Sequence, residues 1–199
     1  SENWLHQARR RLKFEELFYN QLRLIKQNLV RKEQFPGQVF ASAALLTTFY
    51  QDHMPFDLTG AQKKVIREIF QDMKSGKQMN RLLQGDVGSG KTIVAFISML
   101  LAIDNGTQAC IMAPTEILAD QHYQGLKKFA DALGITIAKL TGSVKKKDRV
   151  GLLEDLASGD LKILVGTHAI FEDVVQFKNL GLCIIDEQHR FGVAQRAKL

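Results

Sequence analysis

Residues 85–92 read Gly85-Asp86-Val87-Gly88-Ser89-Gly90-Lys91-Thr92, which fits the phosphate-binding pattern G-x-x-x-x-G-K-[ST]. Such a loop frees the backbone so that its N–H groups can point at phosphate oxygens, and a following helix adds the positive end of its dipole. Gly85, Gly88, Ser89 and Gly90 would line the cradle. Lys91 would meet the outer phosphates, and the Thr92 hydroxyl would ligate Mg2+. With Gly at roughly 7% of average usage, a chance match somewhere in a chain of this size has odds of about 1 in 100.

Ile184-Ile185-Asp186-Glu187 is an apolar run ending in two acids. Hydrolysis of a nucleoside triphosphate needs this pair: one carboxylate holds Mg2+ through water and its neighbour polarises the attacking water. Asp186 takes the metal and Glu187 the water. Two acids after a strand can also be a plain solvated end; the phosphate loop upstream gives the pair its chemical meaning. Phe56-Asp57-Leu58-Thr59-Gly60-Ala61-Gln62 carries two readings. Thr59 and Gln62 fit an S/T-x-x-E/Q capping box. Alternatively the Gln62 amide addresses the edge of adenine and Phe56 stacks on the base. The two roles compete for one side chain.

Further polar groups cluster where apolar runs end. Thr115 and Ser143 either cap helices or help to hold nucleic-acid phosphates without reading sequence. Lys145-Lys146-Lys147-Asp148-Arg149 is a solvated face or a patch that tracks a nucleic-acid backbone. His6, His53 and His122 have no metal-ligand partners at useful spacing and read as incidental. His189, beside the acids, reads as a residue that couples the nucleotide to a partner.

These groups need a scaffold. Periodicity predicts a long helix over residues 5–32, a loop at Pro36-Gly37, and a second helix over 40–50. Pro55 disfavours helix at the residue before it and marks a boundary. Residues 1–54 therefore read as a helical appendage and 55–199 as the core. Alternation then sets in: helix 61–74, strand 81–84, helix 92–103, strand 108–112, helix 116–133, strand 135–140, helix 146–156, and strands 163–165 and 182–185. Near-continuous apolar strands alternating with helices argue for an α/β fold, a mostly parallel sheet with helices on both faces. Ligands bind such sheets at the carboxyl ends of the strands. The phosphate loop, 113–116, 141–143, 166–168 and 186–189 all fall at those ends.

Composition sets outer limits. Among 199 residues, 45% are hydrophobic, enough for a sizeable core. The net charge of +6 suits a polyanionic partner without requiring one. Cys110 and Cys183 lie inside apolar runs and form no C-x-x-C, so they read as buried hydrophobes in a reducing compartment. No stretch approaches a membrane span, and the expected location is cytoplasmic.

Gln62, the phosphate loop, Ala113-Pro114-Thr115-Glu116, Thr141-Gly142-Ser143, Gly166-Thr167-His168 and Asp186-Glu187-Gln188-His189 together resemble the first motor domain of superfamily 2 helicases. Residues 79–92, Met112 to Ala119 and Asp186 to Val193 narrow the likeness to the RecG family of bacterial branched-DNA helicases. Transcription-repair coupling factors have a similar motor but usually carry Glu where this chain has Gln188. The resemblance implies a RecA-like P-loop domain that uses ATP and Mg2+ to drive translocation on double-stranded, branched DNA. It implies work on stalled forks and Holliday junctions in repair and recombination, by a monomer. Gly88, Gly90, Lys91 and Thr92 would bind nucleotide and Mg2+. Asp186 and Glu187 would drive hydrolysis, with Thr115, Thr141 and Thr167 on the DNA side. No fork-splitting wedge domain and no Thr-Ala-Thr motif match this sequence. It therefore reads as part of a larger chain, in which a second motor domain supplies an arginine finger worth 10³–10⁵ in turnover. An N-K-x-D guanine signature and an L-S-G-G-Q transporter signature are absent. The non-enzymatic alternative is a nucleotide-gated module that recruits a partner through the basic first helix.

Overall fold

The computed structural model describes residues 2–34, 36–86 and 88–187. Contacts group them into two compact units, Ser1–Val39 with Asp72–Asn80, and Phe40–Gln71 with Arg81–Leu199. The first unit is dominated by α1 (Glu2–Gln34). Its large apolar side chains, among them Trp4, Leu12, Phe14 and Leu17, are exposed. Within the same unit Pro36 and Lys77 form an isolated antiparallel bridge, and the Gly37 N–H donates to the Gly76 carbonyl at 2.9 Å.

The second unit holds the sheet. Its elements are α2 (Ala44–Thr48), a π-helical turn (Phe49–His53), most of α3 (Gly60–Lys74), α4 (Lys91–Asp104), β1 (Gln108–Met112), α5 (Glu116–Ala132), β2 (Ile137–Leu140), α6 (Lys146–Ser158), β3 (Ile163–Gly166), a 3-10 turn (His168–Phe171) and β4 (Leu180–Ile185). The four strands are parallel in the order β2-β3-β1-β4. This is the expected α/β class.

Side chains alternate across the strands. Cys110, Met112, Leu140 and Leu164 face one way, into a cluster with Leu156 of α6, Leu161 and Ile170. Ala109, Ile111, Ile163 and Val165 point to the other face and are fully buried. Helices α4 and α5 pack on the sheet, α4 through an almost wholly buried apolar run from Ile93 to Ala102. Phe49, Phe96 and Phe129 lock the π-turn, α4 and α5 together, with ring centroids 5.1–5.5 Å apart. Cys110 and Cys183 are unbridged register partners inside the sheet, in keeping with a packing role.

Of the buried polar side chains among the described residues, Ser98, Thr107, Gln108 and Thr141 are hydrogen-bonded, and Thr167 is the exception. The Gln108 amide donates to the Leu156 and Leu161 carbonyls at 2.8 and 2.7 Å and accepts from the Asn179 N–H at 3.0 Å. Asn105 accepts from the N–H groups of Ala41 and Ser42 and donates to the carbonyls of Ser42 and Leu101. The segment before α2 is thereby pinned to the end of α4.

One expected strand is corrected. Among the described residues, 81–86 join no sheet. A short apolar run becomes a strand only where a neighbour offers backbone partners. Here Leu82 is 61% exposed, and the Arg81 guanidinium reaches Glu68 of α3 at 2.7 Å. The edge of β4 away from β1 carries no ladder among the described residues. The sequence also starts β2 two residues early and ends α6 two residues short. Among the described residues no helix is long and apolar enough to cross a membrane.

Phe96 is fully buried at the centre of the ring cluster, whereas Phe14 is 65% exposed. Truncating Phe96 to Ala should lower unfolding free energy by about 3–5 kcal/mol. The same change at Phe14 should cost no more than about 0.5 kcal/mol. Urea titrations of both variants check this ordering.

Candidate functional site

Register brings the site together. Leu140, Gly166, Met112 and Ile185 lie on one rung across the four strands. The residues that follow continue the ladder by one step. The Thr167 N–H donates to the Leu140 carbonyl at 3.3 Å, Ala113 to Gly166 at 2.9 Å and Asp186 to Met112 at 2.8 Å. Thr141, Thr167, Ala113 and Asp186 therefore leave the sheet at one carboxyl rim. The Gly166 backbone lies so close to β2 that a Cβ there would stand 2.3 Å from the Leu140 carbonyl oxygen.

The phosphate loop ends at the N-terminus of α4, whose N-cap is Gly90 with φ 79°. That left-handed conformation disfavours L side chains. A Cβ on Gly90 would also meet the Gln62 amide nitrogen at 2.3 Å. The first N–H groups of α4 have no intrahelical carbonyl to bond, the ordinary anion-binding geometry. The Lys91 ammonium reaches back across the loop to the Gly85 and Asp86 carbonyls at 2.7 and 2.8 Å. Two neutral acceptors hold it where a triphosphate oxygen would be the stronger partner. Val87, within the motif, lies outside the described residues.

Gln62 forms the capping box in full. Its N–H donates to Thr59 Oγ1 at 3.2 Å, and its Oε1 accepts the Thr59 N–H at 2.9 Å. The remaining amide nitrogen donates to the Ser89 carbonyl at 3.0 Å. The side chain thus ties the start of α3 to the phosphate loop. Phe56 is half exposed in a shallow hollow with Tyr50, Gln51, Met54 and Pro55.

Across the rim stand the acids. Glu187 has φ 50°, a left-handed backbone in a residue other than glycine, and its N–H donates to Asp186 Oδ1 at 3.0 Å. Asp186 Oδ2 accepts from His122 Nε2 at 2.7 Å. The Asp186 carboxyl lies below the usual carboxylate range, first because of the His122 hydrogen bond. Burial opposes this, while the His122 charge, the Glu187 N–H and the Lys91 ammonium reinforce it. The charge of Lys91 therefore acts on Asp186 as well as on its own loop. Among the described residues no group of three His, Cys, Asp or Glu side chains could hold a metal alone. The donors fit Mg2+ all the same, since that ion usually takes one or two carboxylates and completes its shell with water and phosphate oxygens.

The three threonines differ. Thr115 is exposed and caps α5 by accepting the Leu118 N–H at 3.3 Å. Thr141 is buried, with its hydroxyl 2.9 Å from Ser143 Oγ. Glu116 accepts from the Ser143 N–H and hydroxyl at 3.2 and 2.9 Å. Thr167 is buried, and its hydroxyl has no hydrogen-bond partner among the described residues. His189 and Gln188 lie outside the described residues.

His122 corrects an expectation. Read as incidental, it instead touches Asp186 across 64 positions of sequence. A signal was present. Ala119, Leu126 and Ala130 form the buried stripe of α5, and His122 stands in step with them where an apolar residue would be expected. The bonds between Glu116 and Ser143 were likewise invisible to local spacing.

Residues 59–199 match the DEAD/DEAH box helicase family. The chain is similar to the ATP-dependent DNA helicase RecG of Bacillus subtilis (strain 168), 50% identical over 194 residues, 96% of this chain and 28% of the relative. It is 48% identical over 192 residues to RecG of Synechocystis, 96% of this chain and 23% of that one. It thus spans about a quarter of the length of these relatives. Among solved structures it resembles RecG bound to a three-way DNA junction, with a TM-score of 0.82 at 43% identity, over 94% of this chain and 26% of the other. The DEAD-box helicase Mss116 bound to ssRNA and UDP-BeF aligns at 20% identity with a TM-score of 0.62, over 80% of this chain and 34% of the other, a likeness of fold alone. The resemblance to RecG and the RecA-like fold are borne out.

The electrostatics of Asp186 yield a pH test. A carboxyl held below its unfolded value, near 3.9, stabilises the fold above that value and loses the contribution as pH falls through the folded one. Asp186→Asn should be less stable than the parent from about pH 5 to 7, and the gap should close below about pH 4. Urea unfolding at stepped pH measures the gap.

Proposed function

The chain belongs to the DEAD/DEAH box helicase family, and from that premise we propose that it is the nucleotide-handling part of a RecG-type, ATP-driven DNA helicase. The observation that supports this most is the phosphate loop at the N-terminus of α4, with the Lys91 ammonium on the Gly85 and Asp86 carbonyls, together with Asp186 at the carboxyl end of β4. We propose residues 55–199 as the first motor domain and 1–54 as a helical linker. In a larger parent protein, a second motor domain and a wedge domain would be its partners. The substrate would be branched, double-stranded DNA at stalled forks and Holliday junctions, in repair and recombination, by a monomer in the cytoplasm.

Each residue then has a task. Amides of Gly85, Gly88, Ser89 and Gly90 and the ammonium of Lys91 bind the phosphates. For this Lys91 exchanges two neutral carbonyl acceptors for anionic phosphate oxygens, which attract its charge more strongly. The Thr92 hydroxyl and Asp186 would hold Mg2+, which supplies charge neutralisation at the phosphate oxygens. Glu187 orients and polarises the attacking water. Gln62 addresses adenine while keeping its cap on α3, and Phe56 stacks on the base. Thr115, Thr141 and Thr167 face the DNA backbone, and His189 couples the two ligands. Thr141 and Thr167 must be uncovered first, since both are buried. Hydrolysis is slow in the 199-residue chain because the arginine donor would belong to the second motor domain.

Calorimetry of the chain with ATP, GTP and Mg2+ tests the assignment. ATP should bind in preference to GTP. Lys91→Ala should weaken ATP by about 10–100-fold, the value of a hydrogen bond to a charged group. Unchanged affinity would show the loop to be misassigned. Rapid steady turnover stimulated by branched DNA would contradict the incomplete hydrolytic site. DNA should bind weakly and in a salt-sensitive manner.

A further inference from the structure

His122 occupies a place on α5 that helical packing reserves for apolar side chains. It lies three residues beyond Ala119 and four before Leu126, both fully buried. A polar ring on that stripe is costly unless it is paired. It is paired with Asp186: Nε2 to Oδ2 is 2.7 Å, and the two side chains are only 15% and 30% exposed. An ionised carboxylate can only accept, so Nε2 carries the proton. The other carboxylate oxygen accepts the Glu187 N–H at 3.0 Å. Two donors on two oxygens, from different elements, fix the plane of the carboxylate.

We propose that His122 is a positioning residue for Asp186, holding one carboxylate oxygen so that the remaining lone pairs face the metal. The proposal rests on the reading of Asp186 as the Mg2+ carboxylate. Loss of partners of this kind behind metal ligands typically costs about 10–100-fold in metal affinity or activity. The helix that carries His122 begins at Glu116 and is capped by Thr115 on the same rim. Two turns of α5 thus join the position assigned to a DNA phosphate to the ring that orients the metal carboxylate. A displacement of α5 on engaging DNA would reach Asp186 through this one hydrogen bond.

A pair serving stability alone would change melting temperature and leave the metal-dependent part of nucleotide affinity untouched. Calorimetry separates the two, using the 199-residue chain and a slowly hydrolysed ATP analogue, in EDTA and over a Mg2+ series. His122→Ala should keep the parent affinity in EDTA and lose about 10–100-fold in apparent Mg2+ affinity. His122→Gln, which retains an N–H donor, should recover most of the loss. A His122→Ala variant with the parent's Mg2+ response overturns the proposal, whatever its melting temperature. Should that variant fail to fold, 15N NMR of the unmodified chain decides. The His122 Nε2 resonance should shift when Mg2+ joins the nucleotide complex and not with nucleotide alone; an unmoved resonance overturns the proposal. If the parent chain binds nucleotide with no Mg2+ response, the reading of Asp186 fails first and the proposal with it.

Discussion

The parallel register of four strands is the constraint on which the site depends. Leu140, Gly166, Met112 and Ile185 share a rung, so four loops leave the sheet at one level. A one-residue slip would turn Asp186 to the opposite face and carry it away from the phosphate loop. Slippage is resisted because both faces are buried. One face packs around Leu156 and Leu161, while Ile111, Ile163 and Val165 fill the other. Burial of ordinary apolar side chains thereby sets the distances between charged ones.

Lys91 connects the two halves of the site. Its ammonium is held by two loop carbonyls and also lowers the charging cost of Asp186. A triphosphate and Mg2+ would enter between groups that already feel one another. Gln62 stiffens the near wall, with its amide on the Ser89 carbonyl and its oxygen on the Thr59 N–H. Glu187 keeps a left-handed backbone, a conformation that costs of order 1–3 kcal/mol and persists where surrounding contacts impose it. The acid pair is held in place by backbone geometry as much as by side-chain bonds.

Much of this was legible in the sequence because it is local. The phosphate loop, the amphipathic pattern of α3 and α5, the apolar strands and the acids after β4 all repeat at short spacing. What escaped depended on distant partners. The run at 81–84 has strand-like residues, yet strand formation needs a neighbour's backbone, and Arg81 is drawn to Glu68 instead. His122 meets Asp186, and Glu116 meets Ser143, only after the sheet has aligned their elements. The capping box and adenine readings of Gln62 looked exclusive in sequence. The cap is formed in the fold, and the same amide already touches the phosphate loop.

The central claim is that the phosphate loop and the acid pair serve one metal-bound triphosphate. A crystal structure of the chain with a non-hydrolysable ATP analogue and Mg2+ tests it most directly. The expected result has phosphates on the amides of residues 85–90, Lys91 released from its two carbonyls, and Mg2+ between the Thr92 hydroxyl and Asp186. A nucleotide seated elsewhere, or a metal out of reach of Asp186, would contradict the account.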